Sequence, residues 1–349
     1  MPHPAHISQA NFDMKFPPLR MVFWETTARC NLECVHCRRL DLEQCKDELT
    51  TEQTKSMIDS IAEMGKPVLV FSGGEPLERN DWAELAQYAT DLDIPIALAT
   101  NGTLVTEEIA NKIAQVGFRR VSISIDGPTA KLHDSFRGLP GAFESALKGA
   151  RLIMQAGVEV QFNVTVTTHN QNSLEELYDL AIAEGVKAMH MFLLVPVGCG
   201  VELAETQQLG PEKYEQVLNW ICDKQQLDQL EIRSTCGPHY YRVAAQRKMK
   251  QARGRGCLCG ISVMFVSHKG QVFPCGYLPI ECGNVKEQSI KDIWSSSETF
   301  AKLRDYELLT GKCGDCNFKK ICGGCRARAF GATGNFLSEE PFCNYNPDK

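Results

Sequence analysis

Three cysteines lie within eight residues in the stretch "CNLECVHC": Cys30, Cys34 and Cys37. A structural zinc takes four ligands and a disulfide takes two, so three thiols pose a chemical question. Three thiolates can hold three irons of a four-iron cubane and leave the fourth iron open, much as a catalytic zinc keeps one position for a small molecule. A partial zinc site is the competing reading. Ten further cysteines run from Cys236 to Cys343. Cys313, Cys316, Cys322 and Cys325 form a CxxCxxxxxCxxC array, with Cys257, Cys259 and Cys275 upstream and Cys343 downstream. Zinc knuckles and iron–sulfur clusters both use such spacings. Cys199 and Cys222, between the two groups, read as plain thiols.

The elements that must position these groups are legible as an alternation of strand and helix patterns. Strands are predicted at 21–27, 67–74, 93–102, 119–127, 158–167 and 187–198. Helices are predicted at 51–64, from Asn80, from Thr106, at 142–156, 173–184 and 211–230. Thr50 with Gln53 forms a capping-box signature ahead of the first helix. Alternating βα units imply a parallel sheet, and six are too few for a full eight-unit barrel. The expected fold is therefore α/β, a partial (β/α)6 TIM-like barrel. Cys30, Gly73 to Glu75, Asn101, Asp126, Thr165 and Pro196 fall at strand ends, the edge where such folds build their sites. Beyond residue 235 the chain is Gly- and Cys-rich, too poor in apolar runs for a large core, and expected to lean on metal.

Composition narrows the function class. A net charge of −6 argues against a general nucleic-acid binder. No run of about 18 apolar residues is present, so no membrane span is expected. Residues 1–20 lack an apolar core and read as a flexible polar arm, with His3 and His6 as stray histidines. With no export signal, sixteen cysteines suit a reducing, cytoplasmic setting in which thiols bind metal or do chemistry. The expected organisation is an arm at 1–20, a barrel at 21–235 and a small iron–sulfur domain at 236–349.

The CxxxCxxC spacing resembles the signature of the radical S-adenosylmethionine (SAM) superfamily, and "SGGEP" (72–76), "ATNG" (99–102), "SISIDG" (122–127) and "HDSFRG" (133–138) are similar to its SAM-binding segments. That resemblance implies a [4Fe–4S] cluster on Cys30, Cys34 and Cys37, which are then the catalytic cysteines, with SAM on the open iron. It implies SAM contacts from His36, Gly73, Gly74, Glu75, Asn101, Ser124 and Arg137. His36 departs from the pattern, since an aromatic residue usually precedes the third cysteine; a ring is retained. Arg137 also reads as a surface ion-pair partner.

The later cysteines resemble the SPASM extension, which implies two auxiliary [4Fe–4S] clusters and three in all. Cys313, Cys316, Cys322 and Cys343 are then the outer set. Cys257, Cys275 and Cys325 are the inner set, with Cys259 or Cys236 as its fourth ligand, or with an open iron. "PPLRMVFWETTARCNLECVHCR", "LLVPVGCG", "TCGPHYYR", "FPCGYLP" and "CGGCRARAFGATGNFLSEEPFCNY" resemble the tetrapyrrole-modifying branch, which serves the siroheme-dependent heme pathway and heme d1 synthesis. Within it the likeness is nearest to the member that decarboxylates iron-coproporphyrin III. The implied reaction turns two propionates into vinyl groups, giving heme b. Alternatives are a related tetrapyrrole side-chain enzyme, such as a didecarboxysiroheme deacetylase or one of heme d1 synthesis, and a peptide-modifying SPASM enzyme. Implied partners are the porphyrin, a low-potential flavodoxin- or ferredoxin-type electron donor and an electron acceptor. Candidate substrate residues are His239, Tyr240, Arg242 and Arg38, with Tyr241, Arg39 and Arg326 beside them.

Overall fold

The strands of this chain are two-faced, and the two faces have different jobs. In the computed structural model, which describes residues 17–38, 46–249 and 254–347, β1 (Met21–Glu25), β2 (Val68–Ser72), β3 (Ile96–Thr100), β4 (Arg120–Ser124), β5 (Glu159–Val166) and β6 (Ala188–Leu193) alternate with helices, as the periodicity predicts. Arg39, Cys45, His3 and His6 lie outside the described residues.

Alternate residues on one face, including Val22, Trp24, Leu69, Phe71, Leu98, Val121, Ile123, Phe162, Val164, Met189 and Met191, join the helices in one apolar core. Strand side chains point to opposite faces with a period of two, so the residues between them line the other face. There the register runs Phe23–Val70–Ala97–Arg120–Glu159, and one row further along Ser122–Gln161–Ala188. Those residues are small or polar from β3 onward and cannot make a second core. They leave a surface for a ligand.

Four further short strands are present among the described residues, three of them in the Gly- and Cys-rich sequence beyond residue 235. The sheet order is β10-β9-β8-β1-β2-β3-β4-β5-β6-β7. β7 (Glu231–Thr235) extends the parallel sheet beside β6, and β8 (Val263–Val266) runs parallel to β1 on the other flank. β9 (Gln271–Phe273) and β10 (Gly283–Asn284) add an antiparallel edge. The expected break at 235/236 thus does not interrupt the sheet, because the Cys-rich segment supplies β8 to β1.

The sheet is curved. Arg120 Nη1 of β4 lies 3.4 Å from Glu231 Oε2 of β7. Three strand spacings in a flat sheet would hold them roughly 14 Å apart. The polar face is therefore the concave one.

Local signals act as expected with one exception. Gln53 N donates to Thr50 Oγ1 and Thr50 N to Gln53 Oε1, closing the capping box of helix Thr51–Ala62. Thr106 caps Glu107–Gln115. The helix expected to be capped by Asn80 instead begins at Trp82 with Asp81 at the cap position. Asp81 makes no cap bond because its carboxylate accepts from Arg79 and Thr51.

Phe162 is 1% exposed in the apolar core of a central strand. Phe162→Ala should cost about 3–5 kcal/mol through lost burial and a cavity, read as a lower denaturant midpoint with unchanged slope. A loss under about 1 kcal/mol would show that the helix layer collapses onto the gap.

Candidate functional site

The segment 26–38, which carries the first three cysteines, contains no helix or strand and is fixed by its neighbours. On the β2 side, Thr26 N donates to Ser72 O (2.8 Å), Gly74 N to Thr27 O (2.8 Å) and Glu75 N to Arg29 O (2.7 Å). On the β3 side, Asn101 Nδ2 donates to Asn31 Oδ1 and Asn31 Nδ2 to Thr103 Oγ1, both at 2.8 Å. Val35 N donates to Phe136 O and Cys199 N to Cys37 O, so Cys199 has a backbone role in holding the loop. A Cβ at Gly74 would stand 2.1 Å from Arg29 O, and one at Gly73 2.7 Å from Thr27 O. Gly73 also has φ +141°, a region open to glycine. These glycines are needed for loop-to-loop docking whatever else they touch.

Around the half-buried, free thiols of Cys30, Cys34 and Cys37 stand ionisable groups sealed from water. Glu75 is fully buried. Thr100 Oγ1 (2.7 Å) and Leu77 N (3.2 Å) donate to its Oε1, and Asn101 N (2.8 Å) to its Oε2. Burial outweighs those donors and pushes its pKa up to about 7. Oε2 keeps a lone pair for one more donor.

Arg137, at the end of helix Ala130–Arg137, pairs with Asp126, and its Nη1 lies 3.7 Å from Cys34 Sγ. Asp126 is 0% exposed. Burial raises its pKa, but Arg137 and then His36 more than reverse this and hold it below the usual range. His36 stacks on Phe136 at 4.0 Å and 10°, and Phe136 on His169 at 5.3 Å. Burial, aided by Arg137, lowers His36 to about 3, so its ring is neutral. Ser124, last in β4, is the register partner of Asn163. Burial raises Cys30 to about 11, with Glu75, Cys34 and Cys37 near enough to contribute.

The later cysteines fall into two groups. Cys236, Cys257, Cys259, Cys275 and Cys325 pack together with Val195, Val197 and Leu278. Cys259 hydrogen-bonds Cys257 and Cys275, and Cys236 lies within electrostatic reach of Cys325, Cys275 and Cys257. Cys236 has φ +56°, a left-handed backbone that costs a non-glycine residue about 1 kcal/mol or more. Cys313, Cys316, Cys322 and Cys343 line a separate small pocket together with His239 and Arg242. Glu340 N donates to Cys313 Sγ (3.3 Å) and Phe318 N to Cys316 Sγ (3.4 Å). Among the described residues no three His, Cys, Asp or Glu side chains converge as a single-ion site requires; a cubane takes its thiolates at its corners. Three groups of free thiols, one of them backed by a buried carboxylate with an open lone pair and by a guanidinium, fit SAM and clusters by donor chemistry.

Between the two later groups sits a pair that sequence reading passed over. Arg328 Nε donates to Glu340 Oε1 (3.0 Å), both side chains being 0% exposed. Arg328 Nη2 donates to Cys236 O (2.6 Å), and Cys325 N to Glu340 Oε2 (2.6 Å). Burial raises Glu340, but Arg328 and His239 hold it low.

The proposed substrate residues are divided, His239 and Arg242 lining the pocket of the outer cysteines and Arg38 lying apart from them. His239 is buried between Tyr214 and Glu340. Tyr240 donates to Gln225. Arg242 is held bidentately by Glu215. Arg326 donates to Phe336 O and Ser338 O. Arg38 lies elsewhere, over the Phe265 ring.

A family model described as the radical SAM superfamily matches residues 24–181, and one described as an iron–sulfur cluster-binding SPASM domain matches 257–317. The chain is similar to an AdoMet-dependent heme synthase of Methanosarcina barkeri, with 46% identity over 343 residues, 95% of this chain and 97% of that protein. An Fe-coproporphyrin III synthase of the same organism is 32% identical, over 97% of this chain and 90% of that one. A solved structure of Streptococcus suis SuiB bound to its precursor peptide SuiA superposes with a TM-score of 0.78 at 16% identity, over 95% of this chain and 77% of that one; this likeness bears on the fold alone. No helix among the described residues is long and apolar enough to cross a membrane.

Gly74→Ala forces Arg29 away from the β2 exit. The variant should fold, by far-UV circular dichroism, yet retain about one four-iron cluster fewer than the parent. Parental iron content would show that the loop tolerates the displacement.

Proposed function

Because the chain belongs to the radical SAM superfamily and carries its SPASM iron–sulfur extension, we propose that it makes heme b from iron-coproporphyrin III by oxidative decarboxylation of two propionates. The observation that carries this reading is 46% identity, along nearly the whole length of both chains, to a relative named AdoMet-dependent heme synthase. The tetrapyrrole relative named Fe-coproporphyrin III synthase stands at 32%. The polar concave face gives a carboxylate-rich macrocycle a surface to meet.

The roles follow residue by residue. Cys30, Cys34 and Cys37 would hold the first cluster, and Glu75 Oε2 would take the SAM ammonium. The Arg137–Asp126 pair would meet the SAM carboxylate and ribose from the side of Ser124, Asn101 would fix the loop above, and His36, braced by Phe136, would border adenine. When bound, the cluster and SAM supply a carbon radical able to abstract hydrogen.

On the substrate, a propionate loses one β-hydrogen atom, CO₂ and one electron, leaving a vinyl group; this happens twice. The electron needs an acceptor. Cys313, Cys316, Cys322 and Cys343 would hold one auxiliary cluster. Cys257, Cys275 and Cys325, with Cys236 or Cys259, would hold the other. The strained backbone of Cys236 favours it as the fourth ligand. Residues 21–235 and 236–349 remain the functional division, with an external low-potential donor and a cytoplasmic setting.

Anaerobic enzyme given SAM, a low-potential reductant and iron-coproporphyrin III should yield heme b and 5′-deoxyadenosine. 5′-Deoxyadenosine release without porphyrin change would point to a different substrate. Cys34→Ala should abolish SAM cleavage, whereas Cys316→Ala should cleave SAM with little heme formed. Full heme formation by either variant would contradict the cluster assignment.

A further inference from the structure

The cations near the cysteine sets are nearly all committed to protein partners. Arg137, Arg242, Arg326 and Arg328 each bind carboxylates or carbonyls. Arg38 differs. Its guanidinium lies 4.6 Å from the centroid of the Phe265 ring, and among the described residues it forms no hydrogen bond or ion pair. Glu25 is close enough to feel Arg38, but its Oε2 is taken by His268, from Nδ1 at 2.6 Å and the backbone N at 3.3 Å.

The position of Arg38 is specific. Phe265 is the register partner of Phe23 and so shares the concave face with Arg120. Arg38 directly follows Cys37, and its Nη1 lies 3.4 Å from where a Cβ on Gly276 would stand. Gly276 directly follows Cys275. Tyr277 is within electrostatic reach of Arg38, Cys236, Cys275 and Cys325. The guanidinium thus stands where the loop of the first three cysteines meets the inner set, above the concave face.

Arg38 is a half-buried residue whose guanidinium donors are left for a ligand rather than for the protein. Its planar fork matches a carboxylate better than any other side chain does. We propose that Arg38 clamps a propionate of the porphyrin substrate, holding it against Phe265 and Tyr277 between the radical site and the inner cysteine set. This rests on the substrate reading above.

The test is an anaerobic absorbance titration of the full-length, cluster-loaded enzyme with iron-coproporphyrin III and with its tetramethyl ester, which keeps the macrocycle and removes the charges. Arg38→Gln should weaken binding of the acid by about tenfold or more, leave binding of the ester as in the parent, and be partly rescued by Arg38→Lys. Equal affinity of parent and Arg38→Gln for the acid overturns the clamp alone, and so does an equal loss for acid and ester, which marks a packing role. If the parent itself fails to bind iron-coproporphyrin III, the substrate reading falls and the clamp with it.

Discussion

A loop with no secondary structure of its own must present three thiols in a fixed arrangement, and backbone contact with the β2 exit makes that possible. Gly74 N and Glu75 N donate to carbonyls of the cysteine segment, while the missing side chains at Gly73 and Gly74 let the two backbones touch. Buried backbone donors and acceptors must be paired, and here the pairing also sets the geometry. Everything nearby inherits its place from this contact. Glu75 is drawn beneath Cys30, Asn101 reaches Asn31, and Arg137 meets Cys34.

The curvature of the sheet does the complementary work. Its convex face spends its apolar residues on the helix layer, so stability does not depend on the concave face. That face is free to carry Gln161, Asn163, His190 and Arg120, a polar set that would be costly in a core. The C-terminal cysteine region is not appended to this barrel but built into it. β8 pairs with β1, and Arg328 reaches back to Leu193 O, Leu194 O and Cys236 O. A buried Arg–Glu pair adds little net stability over an apolar substitute. Its value here is positional, since Glu340 touches Cys313 through its backbone and Cys325 through its side chain.

Much of this was readable in the sequence because it is local. Six βα units follow from periodicity, and the Cys30–Cys34–Cys37 loop and the GGEP turn from spacing. What was not readable is long-range. β8 is four residues long within Gly- and Cys-rich sequence and finds β1 some 240 positions away. Asp126 was visible as a strand-end residue, but its pairing with Arg137 depends on the helix Ala130–Arg137, too short to stand out by periodicity. Arg328 and Glu340 look like ordinary surface charges in "RARAF" and "EEPFC"; only packing reveals them as buried. His239 and Arg242 read in the sequence as part of a basic, aromatic cluster, but helix His239–Gln246 turns them toward the outer cysteines. Arg38, adjacent in sequence to Cys37, is the member of that candidate set left on the concave face.

The proposed reaction requires the radical formed beside Cys30, Cys34 and Cys37 to take hydrogen from a porphyrin propionate. Iron-coproporphyrin III deuterated at the propionate β-carbons tests this directly, with the 5′-deoxyadenosine product analysed by mass spectrometry. One deuterium is expected in each 5′-deoxyadenosine released during heme formation. 5′-Deoxyadenosine free of deuterium, formed while vinyl groups appear, would contradict it.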